Sequence, residues 1–487
     1  MSALPAIEAR IRALSPLRRV GRVCRCAHGT LCVSGLGDVA RLGDRVRILR
    51  PRGQHGGGEV LSLERNTITI LPDASLEGIA IGDMVELLGP AGVAPDSRWI
   101  GRIVDPFGQA LDGRDLPQGG NVRKLRASPP PPAGRKGFGA RLETGMATFN
   151  TLLPLARGQR LGLFAGSGVG KSTLLGGFAR NVNADIVVIA LIGERGRELR
   201  AFVEGVLGPA GMARAIVVAA TSDQSPLVRR RAAWTAMAIA EHFRDAGRHV
   251  LLLADSVTRF AEAHREVALA GGEPASLRGF PPSTAHMIMA LAERAGPGPD
   301  GAGDITAVFT VLVAGSDMEE PIADILRGVL DGHVVLDRAI AERGRFPAVD
   351  PLRSVSRSLP DAATEEENAL IAQTRRLLGA YERAEAMIQA GLYAHGSDPT
   401  TDAAIKAWPA IDAFLACPDT LDIDDSFARL TECLGDAAGH VAQPQDGTEH
   451  PPATPRPPQD GLPEIQDGAA SAERAESAEG RPMRAGL

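Results

Sequence analysis

The sequence predicts an α/β protein: a P-loop parallel sheet, preceded by a small β-barrel and followed by a helical region. Three observations carry this. Between residues 20 and 92, short strand-like runs are separated by Gly-rich or Asp-containing breaks. From Trp99 on, continuous apolar runs alternate with helix-like stretches, as strands covered on both faces do. One of those runs leads directly into a glycine-rich loop that opens a helix.

Composition sets the outer bounds. A chain of 487 residues suggests about three domains. Apolar residues at 44% and charged residues at 23% supply a large core, which excludes wholesale disorder, a collagen and a disulfide miniprotein. Five cysteines make no disulfide framework. The net charge of −6 gives no global attraction to polyanions, yet residues 1–70 hold twelve arginines, no lysine and only five acids. MSALPAIEARIRALSP lacks the apolar core of a signal peptide, and no apolar run approaches the ~18 residues of a membrane span. A reducing, cytoplasmic setting is expected.

In chain order, Leu4, Ile7, Ile11 and Leu14 fall on one stripe of a short helix within residues 1–19, and Ser15-Pro16 ends it. That helix either docks on its own domain or binds a partner. Residues 20–95 are read as the barrel, with strands at Val20–Cys26, Thr30–Ser34, Asp44–Leu49, Glu59–Leu63, Thr67–Leu71 and Asp83–Leu88. Residues 96–360 are read as the sheet domain, with strands at Arg160–Phe164, Ile186–Ile192, Ala215–Ala219, Val250–Ala254 and Ile305–Val313. The tetraproline Pro129–Pro132 is a stiff connector. Residues 361–440 are read as helical, since Leu370, Ile371, Leu377, Leu378, Tyr381, Met387 and Ile388 follow the 3.6 period. Residues 441–487, rich in Pro, Gly and acids and without an aromatic, are expected to be disordered.

The chemistry concentrates in Ala165-Gly166-Ser167-Gly168-Val169-Gly170-Lys171-Ser172-Thr173. Backbone N–H groups freed by the glycines close around phosphates, and the helix N-terminus adds positive field. Lys171 would reach the β/γ-phosphates of ATP, and the Ser172 hydroxyl would hold Mg²⁺. Ala165 stands where the motif has its first glycine, a strand end where a small side chain is tolerable. The alternative is a chance Gly-rich loop. Asp255 ends the apolar run Leu251–Ala254 and suits a Mg²⁺ carboxylate at a strand end, or else a cap for the next helix. Ser256 follows it, so the group that polarises the attacking water must come from elsewhere. Glu194, just past another apolar strand, is the candidate.

These residues carry a resemblance. The chain resembles the hexameric rotary-ATPase family, the α and β headpiece subunits of ATP synthase, and more closely the ATPases of flagellar and other type III secretion systems. The stretches that carry it are RWIGRIVDPFGQALDG, TGMATFNTLLPLARGQRLGLFAGSGVGKST, IGERGRE, LLLADSVTRFAEAHREV, GFPPS, TVLVAGSDMEEPIADILRGVLDGHVVLDR and FPAVDPLRSVSR. The resemblance spans roughly residues 20–435. It implies a RecA-like fold for the sheet domain, with Lys171 and Ser172 serving phosphate and Mg²⁺, Asp255 as the Mg²⁺ carboxylate and Glu194 polarising water. Arg195 and Arg259 stand at family arginine positions. Phe346 resembles the aromatic that stacks on adenine, and Arg357 the arginine finger lent to a neighbouring subunit. FPAVDP resembles the catalytic rotary subunit and SVSR its finger-donating partner, so one chain holding both implies a homohexamer. GSDPTTD replaces the acidic run of the rotary catalytic subunit, which favours the secretion branch. Its implied partners are a regulatory, stator-like protein at the N-terminal helix, the export apparatus and chaperone–cargo complexes. The implied place is the cytoplasm, peripheral at the inner-membrane export apparatus.

The implied function is ATP hydrolysis driving type III protein export, of flagellar components first, with virulence-type secretion as an alternative. A transcription-termination RNA helicase is a second alternative, because it too joins a small barrel to such a motor. It is disfavoured because no Phe, Tyr or Trp precedes Trp99, and single-strand binding needs aromatic platforms. A nucleotide-binding subunit without hydrolysis is disfavoured by Glu194 and Arg357. Cys24, Cys26, His28 and Cys32 invite zinc, but C-x-C-x-H-x3-C is not a usual knuckle, and residues 24, 26 and 28 alternate as if pointing inward together. Because the tail cannot bury enough apolar surface to order itself, truncation at Gln443 is expected to leave melting temperature and ATP turnover unchanged. A drop of many degrees would show that the tail packs on the body.

Overall fold

The computed structural model describes residues 17–50, 55–313, 318–416 and 422–435. The N-terminal stripe and the tail from 441 lie outside the described residues. β1 (Val20–Ala27), β2 (Thr30–Ser34), β3 (Asp44–Leu49), β4 (His55–Leu63), β5 (Thr67–Pro72) and β6 (Met84–Pro90) close an antiparallel barrel in the order β1-β2-β5-β4-β3-β6. Alternation drives it: Val33, Val46, Ile48, Ile68, Ile70 and Val85 point inward and are fully buried. Cys24 and Cys26 correct the inward expectation. A bulge interrupts the β1–β2 register between Val23 and Arg25, and both cysteines are exposed. His28 sits in the hairpin turn with φ 51°. Among the described residues, no group of three His, Cys, Asp or Glu side chains is placed to hold a metal.

Eight strands form the path of the main sheet: β7 (Arg102–Val104), β8 (Arg160–Ala165), β9 (Ile186–Glu194), β10 (Ala215–Thr221), β11 (Val250–Asp255), β12 (Asp304–Leu312), β13 (Gly332–Leu336) and β14 (Val349–Ser356). They lie in the order β14-β13-β8-β12-β11-β9-β10-β7, parallel except for β14 at the edge. Gly296–Pro297 adds a short antiparallel strand on β12. The apolar runs are continuous because both faces are covered. Val187, Ile189 and Leu191 of β9 enter one core, and Ile186, Val188, Ala190 and Ile192 the other.

Helix α1 (Lys171–Asn181) follows β8, α2 (Pro226–Asp245) follows β10 and α3 (Val257–Ala270) follows β11. Ser225 caps α2 through the Val228 N–H. The C-terminal helices are α4 (Glu365–Gln389), α5 (Pro399–Leu415) and α6 (Ile423–Leu434). A capping box of Thr364 and Glu367 starts α4. Ile371, Leu377 and Leu378 of α4 are buried as expected, and Leu370 and Tyr381 pack at the core's margin. Met387 is exposed, because the last turns of α4 project beyond the packed part.

The barrel is tied to the sheet domain by charge. Glu59 of β4 accepts from Arg126 at 2.9 Å and from Arg230 of α2 at 3.0 Å, with Arg231 3.6 Å away. Glu59, Arg230 and Arg231 are all buried. Trp234 lies under the guanidinium groups of Arg126 and Arg230, at 4.5 and 4.9 Å. Replacing Glu59 by Ala leaves two buried cations without their shared anion, so it is expected to destabilise the protein by about 3–5 kcal/mol. Urea unfolding followed by tryptophan emission measures it. A loss below about 1 kcal/mol would show that water or another acid takes over.

Candidate active site

Strands of a parallel sheet that is buried on both faces release polar side chains at their carboxyl ends, and the site forms there. β8, β9, β11 and β12 end side by side. Ala165 is in register with Leu312, and Leu191 with Asp255. After β8 the chain turns through Gly166–Gly170 into α1. Gly168 and Gly170 have φ of +80° and +85°, which L side chains rarely adopt, and Gly170 is the N-cap of α1. The loop borders a cleft of about 870 Å³.

Gly166, Ser167, Gly168, Gly170, Lys171, Ser172 and Thr173 line this cleft. Ala165 and Val169 turn their side chains into the core, at 1% and 2% exposure, and do not line the cleft. Lys171 Nζ donates to Asp255 Oδ1 at 2.5 Å and lies 3.9 Å from Glu194 Oε1. One ammonium thus stands between two carboxylates. Thr310 of β12 also donates to Asp255 Oδ1, at 2.7 Å. Asp255 is not the helix cap: Ser256 accepts from the Arg259 N–H and starts α3. Glu194 extends β9 past its apolar run into the cleft. Burial pushes its carboxyl up to about 7, the Asp255 charge pushes the same way, and Lys171 opposes both.

Arg195 and Arg259 reach the same cleft. Arg195 is exposed and donates to Glu198 at 2.8 Å, and Arg259 donates to Glu262 at 2.8 Å. Phe346 is half exposed and its ring lies over the P-loop, so that a β-carbon on Gly170 would stand 3.2 Å from its Cδ1. Arg357 does not border the cleft. It follows the edge strand β14, is exposed, and donates to the Arg327 carbonyl at 3.3 Å.

Two further side chains belong to the site. Arg229, in the first turn of α2, lines the cleft and donates to the Gln224 carbonyl at 3.1 Å and to Glu266 at 2.9 Å. Its signal was the run Arg229-Arg230-Arg231 in an otherwise apolar helix, where arginines that turn inward need partners. Thr310, a hydroxyl inside an apolar strand, had the same kind of signal.

The ATP synthase alpha/beta family, nucleotide-binding domain, matches residues 145–356, and the T3SS EscN ATPase C-terminal domain matches residues 363–432. The flagellum-specific ATP synthase of Caulobacter vibrioides is 45% identical over 88% of this chain and 99% of its own length. That of Salmonella typhimurium is 43% identical over 88% and 97%. The chain belongs to the flagellar and type III secretion ATPase family. The type 3 secretion system ATPase of Xanthomonas euvesicatoria is 40% identical over 89% of this chain and 98% of its own. The assembled ATPase EscN of enteropathogenic E. coli superposes with a TM-score of 0.80 at 37% identity, over 85% of this chain and 100% of EscN. This ATPase is therefore a nucleotide-binding hydrolase of the export branch, and the RNA-helicase alternative has no support from these relatives.

The Glu194 carboxyl has a testable consequence. Its value of about 7 lies above the ordinary 4.5, so the folded state holds a proton there that the unfolded chain has lost. Stability from this group is present below about pH 4.5 and is lost as pH rises through about 7. Glu194→Gln is expected to be more stable than wild type at pH 8, by roughly 1–3 kcal/mol, with the gap closing toward pH 5. Urea midpoints at pH 5, 6, 7 and 8 read this, and a pH-independent gap would refute it.

Proposed function

We propose that this ATPase powers type III protein export, of flagellar components, as a ring of six identical subunits. The observation that carries the reading is the convergence of Lys171, Asp255 and Glu194 on one cleft, with Arg357 outside it. Backbone groups from Gly166 to Gly170, with Lys171 and the first turn of α1, bind the phosphates. Ser172 and Asp255 offer the hard oxygen donors that suit Mg²⁺, which when bound neutralises phosphate charge. Phosphate oxygens draw Lys171 from Asp255, and Glu194 orients a water for in-line attack on the γ-phosphate. Arg195 and Arg259 add positive field at the cleft, and Phe346 stacks on adenine. Arg357 serves the site of the next subunit. The assignment to flagellar export rests on the flagellum-specific relatives, at 41–45% identity against 40% for the Xanthomonas protein.

The remaining parts fit that reading. EscN has been solved assembled and also with its central stalk EscO, and a stalk-like partner is proposed here too. A regulatory protein at residues 1–19, the export apparatus and chaperone–cargo complexes complete the partners. Among the described residues no helix is long and apolar enough to cross a membrane, in keeping with a peripheral place at the inner membrane. The division proposed is barrel at residues 20–95, motor at 96–360 and helical domain at 361–440.

Mixing two dead variants tests the ring. Arginine fingers are worth roughly 10³–10⁵ in rate, so Arg357→Ala is expected to bind ATP but scarcely turn over, and Lys171→Ala to be inactive as well. Equal mixing with random assembly makes about a quarter of interfaces whole, and ATPase activity should partly return. Subunit exchange confirmed by labelling, with no recovery at any mixing ratio and a single-turnover defect of Arg357→Ala repaired in isolated monomers, would sink the assignment.

A further inference from the structure

Phe346 is held by its neighbour. The side chain of Arg345 is buried, at 8% exposure, and its Nη2 donates to the Val349 carbonyl at 2.6 Å. That bond spans Phe346, Pro347 and Ala348 and closes them into a short loop, whose base is pinned by the Asp337 N–H donating to the Ala348 carbonyl at 2.8 Å. The other side of the guanidinium faces the C-terminal helices. Among the described residues its Nε has no hydrogen bond, and the carboxylate paired with it is Asp412 of α5, 3.5 Å away. The joint borders a cavity of about 270 Å³, where Trp408 of α5 stacks on Tyr381 of α4 with centroids 4.6 Å apart. A second link, Arg343 to Glu385 of α4 at 3.2 Å, is largely exposed and contributes little.

We propose that Arg345 is a positioning residue for Phe346, and that Asp412 sets it, so that the C-terminal helices control how firmly the base is gripped. This rests on the reading of Phe346 as the adenine contact. The physical reason is the buried cation. Without the Asp412 carboxylate, the guanidinium keeps its charge but loses the anion paired with Nε. It then turns toward other acids lining the cavity, Asp337 and Asp350, and lets go of the Val349 carbonyl. The loop slackens, and the Phe346 ring drifts off Gly170. The P-loop, Asp255 and Glu194 take no part, so hydrolysis of bound ATP is unaffected.

The experiment has two arms, on the full chain. In the first, steady-state kinetics compare Asp412→Asn, Asp412→Glu, Phe346→Ala and the double variant Phe346→Ala/Asp412→Asn. Loss of a stacked base costs enough that Phe346→Ala should raise KM for ATP about tenfold. Asp412→Asn should raise KM about threefold to fivefold with kcat unchanged, because the ring is retained but loosened. Asp412→Glu should restore it, and the double variant should be no worse than Phe346→Ala alone. In the second arm, amide exchange across residues 343–352 should quicken in Asp412→Asn, while exchange in β11 and α1 stays as in wild type. Multiplying KM factors in the double variant, or unchanged exchange across 343–352, would overturn the joint. An unchanged KM for Phe346→Ala, with faster exchange in Asp412→Asn, would instead overturn the base-stacking reading and leave the joint as a link without that role.

Discussion

A sheet buried on both faces leaves its chain few places for charge. Strands β8 to β12 are apolar over almost their whole length, so their polar chemistry gathers where they end. Glu194, Asp255 and Leu312 finish within one cleft for that reason, beside the loop that follows Ala165. The P-loop turn, the start of α1 and the start of α3 follow from the same constraint, since each connection must leave the sheet at that edge. Everything that handles phosphate in the proposed function hangs on it.

Two charged clusters show how low dielectric is used in different ways. At the barrel junction one buried carboxylate, Glu59, faces three arginines, and aromatic faces under Arg126 and Arg230 share the excess positive charge. In the cleft the balance is reversed: one ammonium, Lys171, faces Asp255 and Glu194, and burial, with the Asp255 charge behind it, raises Glu194. The first cluster is centred on a buried carboxylate and ties the barrel to the sheet domain. The second is open to solvent on one side, and its surplus suits an incoming cation carried with phosphate.

Five of the six barrel strands were legible to within two residues, because period-2 alternation is a local signal, while β4 began four residues earlier than expected, at His55, because its Gly56–Gly58 run carries no alternation. The inner strands of the sheet were legible as apolar runs, each ending within two residues of its expected end. The edge strands β7 and β14, and β13 beside β14, were not separately visible. They are short or alternating, and β14 contains Pro351, so their pairing depends on neighbours far away in the chain. Met387 carried the helical period yet lies exposed, since periodicity marks a face without saying that anything covers it. Cys24 and Cys26 were expected to point inward together, but Gly21 and Val23 take the buried face of β1 and both cysteines are exposed.

By itself the sequence determined the order of barrel, sheet and helices, the glycine loop, and the carboxylates at strand ends. Those features follow from side-chain period and backbone freedom within a few residues. Only the tertiary structure decided which of the named residues meet. It brought Lys171 to Asp255 across 84 positions of chain, laid Phe346 on Gly170, added Arg229 and Thr310, and left Arg357 outside the cleft. It also turned Ala165 and Val169 into the core, because a loop packed on a buried sheet must bury its apolar side chains.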